Sequence, residues 1–365
     1  MSERVLVAGV GMVPFGKPGA SEAYDAMGAE ATRTALTDAG LAFDDLQQAF
    51  VGYVYGDSTC GQRALYGVGM SGIPIVNVNN NCSTGSTALF LARQLVESGA
   101  AECVLALGFE QMQPGALRSH WSDRPSPFDR FDELCGEINP YPDVPLALRY
   151  FGGAGKEYMD RYGTGPELFA QVRAKASRHA EKNPFALLRK VVSADEVLAA
   201  PMLFPQAGLT RLMACPPTCG AAAAVLVSES FARRRGVDRR VEIAAQAMTT
   251  DRPDTFGARS MMKLVGAEMT REAATQVYER AGIGPSEVGV VELHDCFAQN
   301  EVLSYEALGL CGPGQAEQFV AEGDNTYGGR VVVNPSGGLL SKGHPLGATG
   351  LAQCTELVTQ LRGQA

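Results

Sequence analysis

Residues 73–88 read Ile73-Pro74-Ile75-Val76-Asn77-Val78-Asn79-Asn80-Asn81-Cys82-Ser83-Thr84-Gly85-Ser86-Thr87-Ala88, and a change of period inside this stretch decides the fold class. The first six residues are the short apolar run of a buried strand. After the junction, Ala88, Leu89, Leu91, Ala92, Leu95 and Val96 recur at helical spacing until Gly99 ends the pattern. A thiol at such a junction faces unpaired backbone N–H groups and the positive end of a helix dipole, which favour thiolate over thiol. A small buried cysteine filling a tight junction fits the same pattern. The stretch itself carries no base, so the choice depends on the rest of the chain.

Similar strand-like runs occur at residues 5–10, 49–54, 103–108, 222–227, 241–247 and 288–294, alternating with helical ones. The alternation predicts an α/β protein with largely buried parallel strands. A length of 365 residues with 45% hydrophobic and 19% charged residues supplies ample core for such a fold. The net charge of −9 argues against nucleic acid or an anionic membrane surface as partner. Met1-Ser2-Glu3-Arg4 leads straight into the first strand-like run, so no secretory leader is expected, and no uncharged run is long enough for a membrane span. Nine cysteines, odd in number and without CxxC spacing, point to a reducing, cytoplasmic setting rather than a disulfide or zinc scaffold.

The chain repeats itself. Residues 31–40, ATRTALTDAG, lead through a short acidic turn into the strand-like AFVGYV; residues 273–282, AATQVYERAG, lead through IGPSE into VGVVELH, an offset of 242. Cys82-x-x-Gly85-x-Thr87 likewise aligns with His344-x-x-Gly347-x-Thr349 at an offset of 262, each ahead of an apolar-periodic helix. Two such units related by a pseudo-two-fold axis would turn equivalent helix N-termini towards each other and set Cys82 beside His344. The division expected is a first half over residues 1–118 and 206–238, an inserted loop domain over 119–205, and a second half over 239–365. Within the insert, residues 166–182 read as a helix, and Arg173, Lys175, Arg178, Lys182, Arg189 and Lys190 stand against Glu181 alone over residues 171–190. Such a face could meet an anionic substrate tail or simply be a solvated helix surface.

Gly343-His344-Pro345-Leu346-Gly347-Ala348-Thr349-Gly350 crowds glycines around a histidine, letting the backbone turn sharply and a ligand or second loop come close. It lacks the GK[ST] of a phosphate loop. A neutral His344 could take the proton of Cys82, the usual activation of a cysteine nucleophile. The run Val290-Val291-Glu292-Leu293-His294-Asp295-Cys296-Phe297 carries His294 and Cys296 to the C-terminal end of a strand, where α/β sheets hold ligands. Were the strand to persist through Cys296, their i, i+2 spacing would align both side chains. Metal ligation by His294, Asp295 and Cys296 fits poorly, since no fourth ligand is apparent. Val7-Ala8-Gly9-Val10-Gly11-Met12-Val13-Pro14 mimics a dinucleotide fingerprint but has Pro14 where the third glycine belongs, and reads as a strand and turn.

Together Asn80-Asn81-Cys82-Ser83-Thr84-Gly85, His294-Asp295-Cys296-Phe297 and the Gly343–Gly350 run resemble the thiolase superfamily. The His-Asp-Cys-Phe variant and Asp324-Asn325-Thr326-Tyr327-Gly328-Gly329 are similar to its sterol-carrier-protein-type branch, which includes lipid-transfer proteins. The likeness runs from Val5 to about Gly363. It implies a five-layered αβαβα fold of two similar halves, dimers or higher assemblies, acyl-CoA substrates, and coenzyme A as a co-substrate with no bound cofactor. By position, Cys82 resembles the acylated nucleophile, His344 its base, Cys296 a second acid/base thiol, and His294 the residue that helps hold an oxyanion-binding water. Arg173, Lys175, Arg178, Gly343 and Gly347 are the candidates for substrate or coenzyme A contacts. The reaction implied is thiolysis of a 3-ketoacyl-CoA.

The family pattern continues past the last helix into a Gly-rich loop and two further strands, whereas this sequence stops at Leu361-Arg362-Gly363-Gln364-Ala365. A shortened chain, a small partner protein that completes the site, or loss of full activity would each account for that. Two other functions compete with thiolysis: a retro-aldol lyase acting on a 3-hydroxyacyl-CoA with a partner subunit, and a non-catalytic acyl-CoA or lipid binder. The retained Cys82, His294, Cys296 and His344 weigh against both.

Overall fold

The computed structural model describes residues 3–113 and 121–365. The expected boundary between residues 118 and 119 lies outside the described residues. The first unit comprises β1 (Val5–Met12), α1 (Tyr24–Ala39), β2 (Gln48–Gly52), α2 (Cys60–Tyr66), β3 (Ile75–Val78), α3 (Thr84–Glu97) and β4 (Cys103–Glu110). Helices α4 (Asp129–Ile138), α5 (Leu146–Tyr162), α6 (Glu167–Ala180) and α7 (Ala194–Leu198) follow, with a hairpin of β5 (Met202–Phe204) and β6 (Leu209–Thr210). The chain then returns through β7 (Gly220–Ser228) and α8 (Glu229–Arg235). The second unit holds α9 (Pro253–Gly257), α10 (Met261–Leu264), α11 (Ala267–Ala281), β8 (Val290–Val291), α12 (Ala298–Ala307), α13 (Ala316–Ala321), β9 (Val332–Val333), α14 (Gly338–Ser341) and α15 (Thr349–Leu361). No helix among the described residues is long and apolar enough to cross a membrane.

The main sheet runs β1-β7-β4-β2-β3. It is mixed, where parallel strands were expected: β2 pairs in parallel with β3 and β4, but β7 is antiparallel to both β1 and β4. More than a hundred residues separate β4 from β7, so their connection is not a right-handed βαβ crossover and imposes no parallel pairing. Strand alternation gives the sheet two apolar faces. Cys103, Leu105 and Leu107 of β4 pack in the cluster that includes Ala31, Ala35 and Leu36 of α1. Val104 and Ala106 face the other way, into a cluster with Ala88, Leu89 and Ala92 of α3 and Leu351, Ala352 and Val358 of α15.

A helix from the second unit thus lies on the first unit's sheet beside its repeat equivalent. On the far side of α15, Gln353 Nε2 donates to Leu293 O over 2.8 Å, and the short β8–β9 ladder lies beyond, backed by Val302 and Leu303 of α12. The layering is that of a thiolase-like αβαβα fold, with α3 and α15 at its centre. At the C-terminal end of α15, Arg362 fastens the helix back to the first unit, donating to Asp38 Oδ2 at 2.6 Å and Ala8 O at 2.9 Å.

The repeat is visible in detail. Helices α1 and α11 both end on a left-handed glycine, Gly40 at φ 65° and Gly282 at φ 70°. A 3-10 turn follows each, at Phe43–Asp45 and Pro285–Glu287, and then β2 and β8. Even the acidic cap recurs: Asp45 accepts from Ala42 N–H and Glu287 from Gly284 N–H, each at 2.8 Å. Two expected strands fall short. Residues 241–243 bond to the open edge of β1, Val7 N–H to Val241 O and Ile243 N–H to Val5 O at 3.0 Å each, and residues 244–250 join no ladder. The run at 288–294 keeps only Val290–Val291 as strand, since only β9 pairs with it among the described residues.

The intervening helices share one core with the second unit, in which Phe169 and Val172 of α6 join Val302, Tyr305 and Val333. Two of the three basic residues of α6, Arg173 and Lys175, correspondingly face that core and not a ligand. Lys175 is fully buried and paired with the equally buried Glu301 of α12, and it donates to Val333 O at 3.1 Å. Arg173 is buried too and donates to Ser341 Oγ at 2.7 Å; of the three candidates only Arg178 is exposed. The sequence periodicity cannot show that the face carrying Arg173 and Lys175 points inwards, because a buried counter-charge lies 126 positions away. Glu301 also accepts from Asn334 Nδ2 at 3.0 Å, while Asn334 Oδ1 takes the N–H of Leu293 at 2.8 Å. This buried polar chain reaches the residue preceding His294. Replacing Lys175→Met strands the Glu301 charge and is expected to cost about 3–5 kcal/mol of stability. Urea unfolding checks this; a midpoint equal to that of the wild type would contradict it.

Candidate active site

The asparagines before Cys82 build a sharp elbow. Asn81 adopts φ 49°, a left-handed conformation that Asn tolerates better than most residues, and its N–H is held by Asn79 Oδ1 at 3.2 Å. Asn80 N–H bonds to Thr84 Oγ1 at 2.8 Å, tying the elbow to the first residue of α3. Cys82 sits in the single 3-10 turn, Asn81–Ser83, between strand and helix. Cys82 is partly exposed.

His344 is placed by the equivalent corner of the second unit. Gly343 at φ 114° lies so close to Thr218 that a Cβ there would come within 2.7 Å of its side chain. His344 N–H donates to Thr218 Oγ1 at 3.1 Å. The hydroxyl of Thr349 gives its proton to Pro345 O at 2.9 Å, so its oxygen accepts Nδ1–H of His344 at 2.7 Å. This assigns the tautomer: Nε2 carries the lone pair and faces the sulfur. His294 Nε2 lies 3.3 Å from that nitrogen, and where the two are hydrogen-bonded His294 is the donor. Cys82 Sγ and the two imidazole nitrogens all lie within 4.8 Å of one another.

The juxtaposition of Cys82 with His344 is therefore the one the repeat predicts. The strand does not persist to Cys296, so the condition for aligning His294 with Cys296 by i, i+2 spacing is not met. Strand β8 ends at Val291, and the chain reaches Cys296 through a tight turn in which Asp295 N–H bonds to Leu293 O at 3.2 Å. Cys296 is buried in a small cluster with Phe204, Leu209, Phe297 and Leu339. Asp295 caps α14, accepting from Leu339 N–H at 2.7 Å and Leu340 N–H at 3.3 Å.

Electrostatics revise the protonation expected at the helix tip. Burial pushes the Cys82 thiol up to about 12, and the nearby Glu110 carboxylate adds to the effect. Burial outweighs the field of the short turn and favours the Cys82 thiol over the expected thiolate. Burial, and secondarily the neighbouring His294, holds His344 well below the ordinary histidine range; burial brings His294 to about 4. Cys296 is raised by burial, then by Cys215, Cys82 and Asp295. The resting site holds protonated thiols facing a neutral base.

The two candidate glycines are tight packing positions. A Cβ at Gly347 would come within 2.2 Å of Phe109 O and 2.7 Å of Gly52 O, and its N–H donates to Glu110 Oε2 at 3.0 Å. Glu110, buried at the end of β4, also takes the N–H groups of Val54 at 3.1 Å and Tyr55 at 2.9 Å, so it clamps both units beneath Cys82. Sequence reading missed Glu110, Thr218 and a third thiol, Cys215, whose N–H bonds to Cys296 O at 2.9 Å. Cys215-Pro216-Pro217-Thr218-Cys219 was a usable signal, because two prolines rule out regular structure just before an apolar strand. Thr349 was legible as the repeat equivalent of Thr87, which bonds to Ser83 O at 2.9 Å in the same way.

Comparison with known proteins agrees with this geometry. Residues 5–124 match the thiolase N-terminal domain, and residues 254–365 the thiolase C-terminal domain-like family. Sterol carrier protein 2 of Gallus gallus is 54% identical over 370 residues, a match covering all of this chain and 67% of that protein, so the chain spans about two thirds of that relative's length. Benzoylsuccinyl-CoA thiolase subunit BbsB of Thauera aromatica is 33% identical over 370 residues, covering all of this chain and 90% of that subunit. Among solved structures, one described as an Ltp2-ChsH2(DUF35) aldolase superposes with a TM-score of 0.82 at 22% identity, covering 100% of this chain and 91% of that one, a likeness of fold. With both domain types matched in order along a duplicated αβαβα fold, the chain belongs to the thiolase family.

Proposed function

We propose that the chain is an acyl-CoA acyltransferase that cleaves a 3-ketoacyl-CoA by thiolysis through an acyl-Cys82 intermediate. The observation that carries this reading is the cluster of Cys82 Sγ with the imidazole nitrogens of His344 and His294 within 4.8 Å. As Sγ attacks the keto carbon, the thiol proton passes to His344 Nε2, whose Nδ1–H is braced by Thr349. The bond between the keto carbon and its neighbour then breaks. The proton of Cys296 goes to the departing carbanion, releasing acetyl-CoA, or propionyl-CoA from a 2-methyl substrate. Coenzyme A next enters as co-substrate and gives its proton to the Cys296 thiolate. Its sulfur takes the acyl group, and Cys82 recovers its proton from His344. His294 contributes an N–H donor for the oxygen that gains charge, directly or through water.

Membership of the thiolase family and the acyl-CoA chemistry named for the Thauera relative support this assignment. The open side of β3 supports a homodimer: among the described residues it pairs only with β2, and its Val76 is exposed.

Incubation with a 3-ketoacyl-CoA should add one acyl mass to the wild type and none to Cys82→Ala, as read by intact mass spectrometry. Tight binding without any adduct would favour a lipid or acyl-CoA carrier, and turnover of a 3-hydroxyacyl-CoA by Cys82→Ala would favour the lyase. His294→Ala should lower kcat about 100- to 1,000-fold through loss of an oxyanion donor. The pH profile provides a further check. A lowered pKa keeps His344 neutral and competent as base to lower pH, and a raised Cys82 pKa keeps the thiol protonated to higher pH. The kcat/KM of the acylation step should therefore show no acid limb near about pH 6.5, the ordinary histidine value. A half-loss of activity there would contradict the neutral pair.

A further inference from the structure

We propose that Cys82 Sγ, His294 Nε2 and His344 Nε2 form a binding site for a thiophilic divalent cation of the zinc class, and that an occupied site is silent in acyl transfer. The proposal goes beyond the thiolase reading and does not depend on it. Two imidazole nitrogens on one tetrahedral zinc ion stand about 3.3–3.4 Å apart, given zinc–nitrogen bonds of about 2.0–2.1 Å. The two Nε2 atoms here stand 3.3 Å apart. A sulfur on the same ion would lie about 3.6 Å from each nitrogen, given a zinc–sulfur bond of about 2.3 Å. Cys82 Sγ already lies within 4.8 Å of both, so closure takes a small rotation of one side chain.

The surroundings select the class of cation. Donors of one sulfur and two imidazoles suit zinc and its neighbours rather than magnesium or calcium. The nearby carboxylates are already engaged, Asp295 with the N–H groups of α14 and Glu110 with Tyr55 and Gly347. Thr349 holds the Nδ1 side of His344, as outer-shell partners do for metal-bound histidines. Binding releases the Cys82 proton to solvent and moves the His294 proton from Nε2 to Nδ1, with no change of oxidation state. The fourth position is left to water. The cation then occupies both the nucleophile and the nitrogen that must take its proton.

The test is titration of the reduced, full-length chain with Co²⁺ under anaerobic conditions. The expected result is a thiolate-to-cobalt charge-transfer band with tetrahedral visible bands, saturating at one equivalent. The band should vanish in Cys82→Ser, and equally in folded wild type alkylated at Cys82. It should persist in Cys215→Ser. Thr349→Val should weaken binding about 10- to 100-fold. A charge-transfer band that survives blocking of Cys82, one that requires Cys215 instead, or no band at one equivalent would overturn the proposal. Because the readout is absorption, absence of thiolase activity would leave it standing.

Discussion

Everything at this site rests on the closeness of two helix starts. Gly85 of α3 sits against the backbone of Gly347, so that a Cβ there would lie 2.7 Å from Gly347 O and 3.1 Å from Gly350 N. A Cβ at Gly350 would in turn lie 2.4 Å from Ser86 N. Backbone meets backbone where the two units join, and neither side can accept a side chain without displacement. The sulfur and the imidazole are the residues that each unit presents at this meeting point. Glu110 closes the arrangement from below by binding N–H groups of both units.

The same burial that brings the groups together sets their charge. A helix tip in water would favour a thiolate, but burial raises the Cys82 thiol and lowers His344, which favours a neutral pair. A neutral pair avoids a buried ion pair at rest and confines charge separation to the step in which Sγ attacks. The arrangement also requires a defined tautomer of His344, which the Thr349 hydroxyl provides. The insert helices contribute at a distance: Lys175, Glu301 and Asn334 form a buried chain whose last bond holds Leu293, next to His294.

Much of this was legible in residues alone. The Cys82 elbow and the two Ala-Gly helix ends follow from local period, and the pairing of Cys82 with His344 from comparing the chain with itself. What escaped detection depends on partners remote in sequence. Arg173 and Lys175 read as a solvated basic face until Ser341 and Glu301 are found against them. Gly343 and Gly347 read as ligand-facing until Thr218, Phe109 and Gly52 fill the space. The antiparallel placement of β7 depends on a connection whose path no local pattern fixes, and residues 241–247 satisfy a strand's alternation while bonding only briefly to the edge of β1.

The most direct measurement of the central claim is the Gly85→Ala variant set beside Gly136→Ala, whose added methyl on α4 has nothing within 4 Å. At Gly85 the extra carbon must push α3 from α15. Overpacking of this kind costs about 1–3 kcal/mol, and it should slow acyl-enzyme formation at Cys82 by separating sulfur from base. Gly136→Ala should leave acylation unchanged and raise stability by about 0.5–1 kcal/mol, as expected for alanine in a helix. If Gly85→Ala instead unfolded and acylated as the wild type does, the contact between the two helix starts could not be what assembles the site.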